Sequence, residues 1–385
     1  MADFKQVRSW AALAVLGLVA ASAQAADVKI GVAAALTGGA AQYGQAIRQG
    51  FELAAEQINA AGGIHGDSIV LLVEDDQGKK DEAINTFKKL IHKDKVLAVF
   101  GPTLSSSASA AHPIAQQAKT VAFGTSLTVD GITQVGDYVF RNSVTEAVVL
   151  PETLRKAVAA TGTKKVAVIY GNDDVLTKNG YENFKKALDE QKIAITTTET
   201  YAKGDVDFKA QLTKIKASAP DAIVISTLIA EGGPIVAQAR QLGITQPFIG
   251  GNGLNTPRLF ELAGERSDNV WVGGPWSSSN DTPENQQFIQ SYQAKYGKQP
   301  DQFAAQAFDA MHILAKGLQQ AKPSGDVNKD RAALREALPH VTHTGATGAF
   351  RFQQATDKRG KPAGFDAVQT PVVTLTQNQQ YVVQK

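Results

Sequence analysis

The sequence predicts an α/β protein of two like-folded lobes, each a parallel sheet wrapped by helices. Three observations lead there. Short apolar runs alternate with amphipathic helical runs along most of the 385 residues, the pattern of a helix-covered parallel sheet. A second series begins near Pro151, like the first in period and unlike it in sequence, which describes two lobes and not a repeat array. The chain is also long enough for two domains with a sizeable core each.

Residues 1–25 read as a signal peptide. Lys5 and Arg8 form a basic start, Trp10 to Ala21 a short apolar core, and Ala23-Gln24-Ala25 a small-x-small cleavage site. The core is too short to span a membrane, and no second apolar run of spanning length follows. Cleavage after Ala25 is expected.

The first fold element follows at once. Ile30 to Leu36 carries no polar side chain, as a strand buried on both faces requires. Thr37, Gly38 and Gly39 break it. Ile47, Phe51, Ala54 and Ile58 then recur at helical spacing, and Gly62 and Gly63 stop the helix. This unit puts a Gly-rich mouth at the carboxyl end of its strand, the edge at which open α/β sheets bind small ligands. Strand runs continue at 69–74, 96–101, 120–124 and 138–142, with helical segments at 81–92 and 105–117. The second series has strands at 165–170, 193–198, 222–226, 247–250 and 270–273. Its helices lie at 180–189, 208–217, 234–242 and 258–263. Helices at 283–296, 301–320 and 329–338 come next, and strands at 349–352 and 372–375 close the chain.

Composition narrows the function. There are no cysteines, so an exported chain of this kind relies on its core and has no cysteine for an amino-terminal lipid anchor. Without its first 25 residues the chain has 37 basic and 36 acidic residues. That balance argues against nucleic acid or an anionic membrane as partner. A soluble periplasmic protein without a membrane anchor is expected.

Motifs for catalysis or cofactors are missing. There is no GxxxxGK[ST] loop, HExxH helix or GxSxG elbow. Gly250-Gly251-Asn252-Gly253 lacks dinucleotide-loop spacing and reads as a turn. His340 and His343 lack further ligands and read as surface residues. Asp75-Asp76 and Asp173-Asp174 each follow a strand and read as chain-turning carboxylates. No enzyme activity, cofactor or metal is expected.

Several stretches carry a resemblance. They are LTGGAAQYGQAIRQGFELAAEQINAAGGIHG (36–66), VFGPTLSSSAS (99–109), FGTSLT (123–128), VAVIYGNDD (166–174), FIGGNG (248–253) and FIQSYQAKYGKQPDQFAAQAFDAMHIL (288–314). Together they resemble the periplasmic branched-chain amino acid (Leu/Ile/Val) binding proteins, the substrate-binding components of ABC importers. The resemblance implies the type I periplasmic binding protein fold: two Rossmann-like lobes with parallel sheets, joined by three hinge crossings. It places residues 26–146 and 276–355 in lobe one, and 147–275 and 356–385 in lobe two. Ligand would bind between the lobes, hinge closure would follow, and the closed form would engage an ABC permease in the inner membrane.

Carried over by residue, the resemblance assigns Ser105, Ser126 and Thr128 to a ligand carboxylate. The residues agree: Ser105 follows a strand and opens a helix pattern, where hydroxyl and first-turn N–H groups converge on an anion. Tyr43 and Phe303 align with pocket-wall aromatics. At the far end the sequence departs from the family. Asn252 stands where the amino acid receptors place a Glu for the ligand ammonium. Leu228 replaces a supporting Tyr, and Val175 or Leu176 replaces another pocket aromatic. Glu231 or Asp174 could substitute for the missing anion. The paired cysteines of some members are absent at Gly78 and Leu104.

The expected function is a periplasmic solute-binding protein of an ABC importer that captures a small carboxylate-bearing ligand, an amino acid. The neutral Asn252 keeps open an aromatic or 2-oxo acid without an ammonium group, and a ligand sensor for a membrane signalling partner is the other class.

Overall fold

The computed structural model describes residues 27–384; the expected signal peptide, residues 1–25, lies outside them. The first sheet begins with β1 (Asp27–Ala34), α1 (Ala41–Ala60), β2 (Ser68–Asp75), α2 (Lys80–Lys88), β3 (Ala98–Phe100), α3 (Ser105–Gln117), β4 (Val121–Gly124) and β5 (Val139–Arg141). After α4 (Glu146–Thr161) comes the second series: β6 (Lys165–Gly171), α5 (Val175–Glu190), β7 (Ala194–Tyr201), α6 (Lys209–Ala217) and β8 (Ala222–Ser226). It continues with α7 (Ile229–Gln241), β9 (Phe248–Gly250), α8 (Arg258–Ala263) and β10 (Val270–Gly274). Then follow α9 (Pro283–Tyr296), α10 (Gln302–Ala321), α11 (Val327–Ala337), β11 (Thr342–Gly345), β12 (Gly348–Thr356) and β13 (Pro362–Val368). The chain closes with β14 (Val372–Gln377) and β15 (Gln380–Val383).

Two sheets result, ordered β11-β12-β13-β5-β4-β3-β1-β2 and β15-β14-β10-β9-β8-β6-β7. The pairs from β2 to β5, and from β7 to β10, are all parallel. β12 and β14 run antiparallel to their neighbours. The chain crosses between sheets three times: after β5, after β10 and after β13. In each lobe the strand order reverses beside the first strand, between β1 and β3 and between β6 and β8. A reversal of this kind opens a crevice at the carboxyl edge.

The local reasons match the sequence. Ile30, Val32 and Ala34 are wholly buried, and Tyr43, Ile47, Phe51, Ala54 and Ile58 form the buried stripe of α1. Burying one such large apolar side chain contributes about 1.5–3 kcal/mol. Asp75 turns the chain as expected: its Oδ1 accepts from the N–H groups of Leu36 and Gln77, at 2.9 and 2.8 Å. Among the described residues no helix is long and apolar enough to cross a membrane.

The structure differs from the sequence reading in several places, among them the strands β11, β13 and β15, which were not expected. Residues 362–368, expected in lobe two, form β13, which pairs with β5 and β12 of the first sheet; the third crossing therefore lies beyond residue 368. Helices α5 and α7 start at Val175 and Ile229, not at 180 and 234. Pro234 sits one turn inside α7, and Leu228, just before the helix, reaches the cavity. α4, which contains Pro151, was not expected at all. His343 is not a surface residue: its side chain is 9% exposed, and its Nε2 lies 3.4 Å from Asp309 Oδ1.

α10 lies along α1, and its first turn reaches the edge where the cleft forms. Their approach depends on Gly50, where an added Cβ would stand 2.2 Å from the Ala304 carbonyl oxygen. Gly50→Ala should therefore force the helices apart and destabilise lobe one by about 1–3 kcal/mol. A lower midpoint in urea unfolding is the expected reading.

Candidate functional site

The two crevices face each other. From the first lobe, α1 contributes Tyr43, the loop and first turn after β3 contribute Thr103 to Ser106, the loop after β4 contributes Ser126 and Thr128, and α10 contributes Phe303. From the second lobe come Asp174 and Leu176 after β6, Leu228 after β8, and Asn252 and Gly253 after β9. They enclose a small cavity of about 30 Å³, so the lobes are closed upon one another. All seven residues singled out from sequence (Tyr43, Ser105, Ser126, Thr128, Leu228, Asn252 and Phe303) line it. Leu176 also lines it, whereas Val175 is 36% exposed.

Closure rests on hydrogen bonds between the lobes. The Tyr43 hydroxyl donates to the Gly253 carbonyl and accepts from the Ile229 N–H, both at 2.8 Å. Burial pushes the pKa of this phenol upward. The Tyr43 ring packs on Phe303 with centroids 4.6 Å apart. Gln302 Nε2 donates to Asn252 Oδ1 at 3.3 Å, and Asn255 Nδ2 donates to Gln302 Oε1 at 2.7 Å. At the rim Asp130 Oδ2 accepts from Asn179 and Asn183 of α5, at 3.0 and 2.8 Å.

One end of the cavity offers donors. No side chain caps the first turn of α3. Its bonded ladder begins with Ser107 N–H donating to Leu104, so the N–H groups of Ser105 and Ser106 precede it. The Ser105 hydroxyl has no protein acceptor among the described residues. Free N–H groups and the helix dipole favour a negative charge here.

The other two hydroxyls differ from the sequence reading. Ser126 Oγ donates to the Thr103 carbonyl at 2.7 Å, and Thr128 Oγ1 donates to Glu146 Oε1 at 3.0 Å. Each has a single proton to give, so each turns lone pairs and not a donor toward the cavity. Asn252 Nδ2 also reaches Glu146 Oε1, at 3.2 Å. Burial raises the Glu146 carboxyl to about 7, against the lowering effect of these two hydrogen bonds.

The two carboxylates considered as substitutes for the missing Glu have other partners. Glu231 accepts from the Gly204 N–H at 2.9 Å and lies outside the cavity lining, while Asp174 caps α5 through the Leu176 N–H at 2.8 Å and remains at the cavity wall. Gly78 and Leu104 are neighbours, and a Cβ on Gly78 would stand 3.2 Å from Leu104 Cδ1; apolar contact fills the place of the absent cysteine pair. Among the described residues no group of three or more His, Asp or Glu side chains is arranged to hold a metal ion.

Two α/β lobes, three crossings and a cavity closed between facing crevices define a two-lobed solute-binding protein. The periplasmic binding protein family matches residues 27–365, and the chain belongs to it. It is 28% identical over 360 residues to the leucine-, isoleucine-, valine-, threonine- and alanine-binding protein of Pseudomonas aeruginosa, covering 93% of each chain. The structure is similar to that of the branched-chain amino acid transporter substrate-binding protein LivJ of Streptococcus pneumoniae in complex with isoleucine. The TM-score is 0.82 at 30% identity, over 93% of this chain and 99% of that one. The leucine-binding protein LivK of Thermotoga maritima aligns with a TM-score of 0.83 at 27% identity, over 93% and 98% of the two chains.

Replacing Tyr43 by Phe removes both hydroxyl links between the lobes and leaves the ring stack in place. Tyr43→Phe should destabilise the closed state by about 1–3 kcal/mol. Small-angle X-ray scattering of ligand-saturated protein should show a larger open fraction than wild type.

Proposed function

We propose that this protein is the periplasmic receptor of an ABC importer, that it binds a small amino acid between its lobes, and that it presents the closed form to an inner-membrane permease. The observation that carries the reading is the polarity of the cavity. Donors gather at Ser105 and the start of α3; acceptors gather at Ser126 and Thr128. An α-amino acid zwitterion matches both sets, its carboxylate at α3 and its adjoining ammonium at the hydroxyl oxygens. Leu104, Leu176, Leu228 and Phe303 supply apolar wall for an aliphatic side chain. The amino acids named for the Pseudomonas aeruginosa relative, leucine, isoleucine, valine, threonine and alanine, are of this class.

The residues proposed to hold the ligand are Tyr43, Ser105, Ser126, Thr128, Leu228, Asn252 and Phe303. Ser105 takes the carboxylate; the Ser126 and Thr128 oxygens take the adjoining ammonium. The role is binding and not turnover. The lobes are read as residues 26–146 with 276–368, and 147–275 with 369–385. Export follows cleavage after Ala25, and mass spectrometry of periplasmic protein should show a chain beginning at Ala26.

Calorimetric titration of ligand-stripped protein tests the reading. Leucine, isoleucine or valine should bind, and the methyl ester should bind poorly. Ser105→Ala should weaken binding by about 1–3 kcal/mol, about 5- to 150-fold in Kd. Binding of benzoate or a 2-oxo acid, with no amino acid bound, would replace this reading by that of a receptor for acids without an ammonium group.

A further inference from the structure

Glu146 opens α4, at the first crossing, and is 4% exposed. It is no part of the cavity surface, yet two residues that are part of it touch it. Thr128 donates to its Oε1 from lobe one, and Asn252 donates to the same oxygen from lobe two. The Glu146 N–H in turn donates to the Thr128 carbonyl at 2.9 Å. Its other oxygen, Oε2, has no protein donor among the described residues, and no cation pairs with it there. It faces Gly251, where an added Cβ would stand 2.9 Å away.

This arrangement sets the polarity of the wall. An ionised carboxylate only accepts hydrogen bonds, so Thr128 must donate away from the cavity and Asn252 must give up one of its two N–H donors. The cavity is left with the Thr128 and Ser126 lone pairs, backed by a buried negative charge. A buried charge without a partner is unfavourable until a cation arrives. We propose that Glu146 is the counter-charge that selects a ligand bearing an ammonium group, acting from behind the wall through Thr128 and Asn252. It is a positioning residue, and the proposal rests on the amino acid reading above.

The surrounding charges define the expected pH dependence. Asp130, exposed in the loop after β4, adds a like charge and raises the Glu146 carboxyl. Arg141 directs its Nη1 at the Leu127 and Val129 carbonyls, Asp174 is held at the cap of α5, and Glu231 is held at Gly204. Burial places the Glu146 carboxyl at about 7 in the free protein. An ammonium beside it favours the ionised form and lowers that value. Below pH 7 the free protein holds a proton that ammonium binding must expel, so affinity falls by about tenfold per pH unit there and is level above.

The experiment titrates leucine and the 2-oxo acid of leucine, which lacks only the ammonium, into wild type, Glu146→Gln and Glu146→Asp between about pH 5.5 and 8. Wild type should bind leucine with the loss below pH 7, and the oxo acid without it. Glu146→Gln should bind leucine about tenfold or more weakly and with a flat profile. Glu146→Asp should keep a pH-dependent preference for leucine. Leucine affinity and pH profile unchanged in Glu146→Gln would overturn the proposal. If that variant does not fold, the two wild-type profiles decide: parallel profiles for leucine and the oxo acid overturn it. Wild type that binds the oxo acid and no amino acid would sink the functional reading itself. Leucine binding indifferent to position 146 removes only the role of Glu146.

Discussion

One buried guanidinium holds the cleft and two of the crossings in a single frame. Arg141 is 1% exposed at the end of β5, and its Nε lies 2.6 Å from Asp366 Oδ1 on β13. Its Nη1 donates to the Leu127 and Val129 carbonyls, at 3.0 and 2.7 Å, and so fixes the loop that carries Ser126 and Thr128. β5 and β13 are the strands from which the chain leaves the first lobe. The ion pair therefore ties two crossings at their roots and suspends the cavity wall from the same point. The Asp366 side chain is 30% exposed, whereas removing it would leave the buried Arg141 guanidinium without its counter-charge, a destabilising change. Lobe one thus presents a stiff half-site, and relative motion is confined to the short crossings.

Against that stiff half, closure is a balance of modest terms. The hydrogen bonds from Tyr43, Gln302 and Asp130 across the cleft replace bonds to water in an open form, each with a net contribution of about 0.5–1.5 kcal/mol. A ligand that touches both walls shifts the balance by its differential affinity alone. The Tyr43 phenol stays protonated because burial disfavours its anion, so this link works at any pH at which the fold persists.

Much of this was legible in the chain and some was not. The apolar run of β1, the stripe of α1 and the Ser105 turn are local patterns, and local patterns survive in sequence. The seven cavity residues came from the family resemblance; five of them, Ser105, Ser126, Thr128, Leu228 and Asn252, also sit where parallel strands deliver their following loops to one edge. Glu146 belongs to no motif and meets Asn252 across 106 residues of chain. No periodicity announces such a contact. The directions in which Ser126 and Thr128 donate were equally hidden, because the carbonyl of Thr103 and the carboxylate of Glu146 set them. β13 is not legible as a strand at all, because Pro362 and Gly364 mark a turn in sequence and only its pairing with β5 and β12 makes it a strand.

The interlobe link at Tyr43 has a consequence for how such a receptor diversifies. On the far lobe the phenol meets only backbone, the carbonyl of Gly253 and the N–H of Ile229. Every residue type except proline offers that N–H, and every residue offers that carbonyl. The adjacent positions Leu228 and Asn252 place their side chains at the cavity wall. Mutational drift can therefore rewrite ligand choice at those two positions while the latch keeps its partners. Recognition and closure lie on neighbouring atoms yet can vary independently, so a gene duplicate can acquire a new solute without first relearning how to shut.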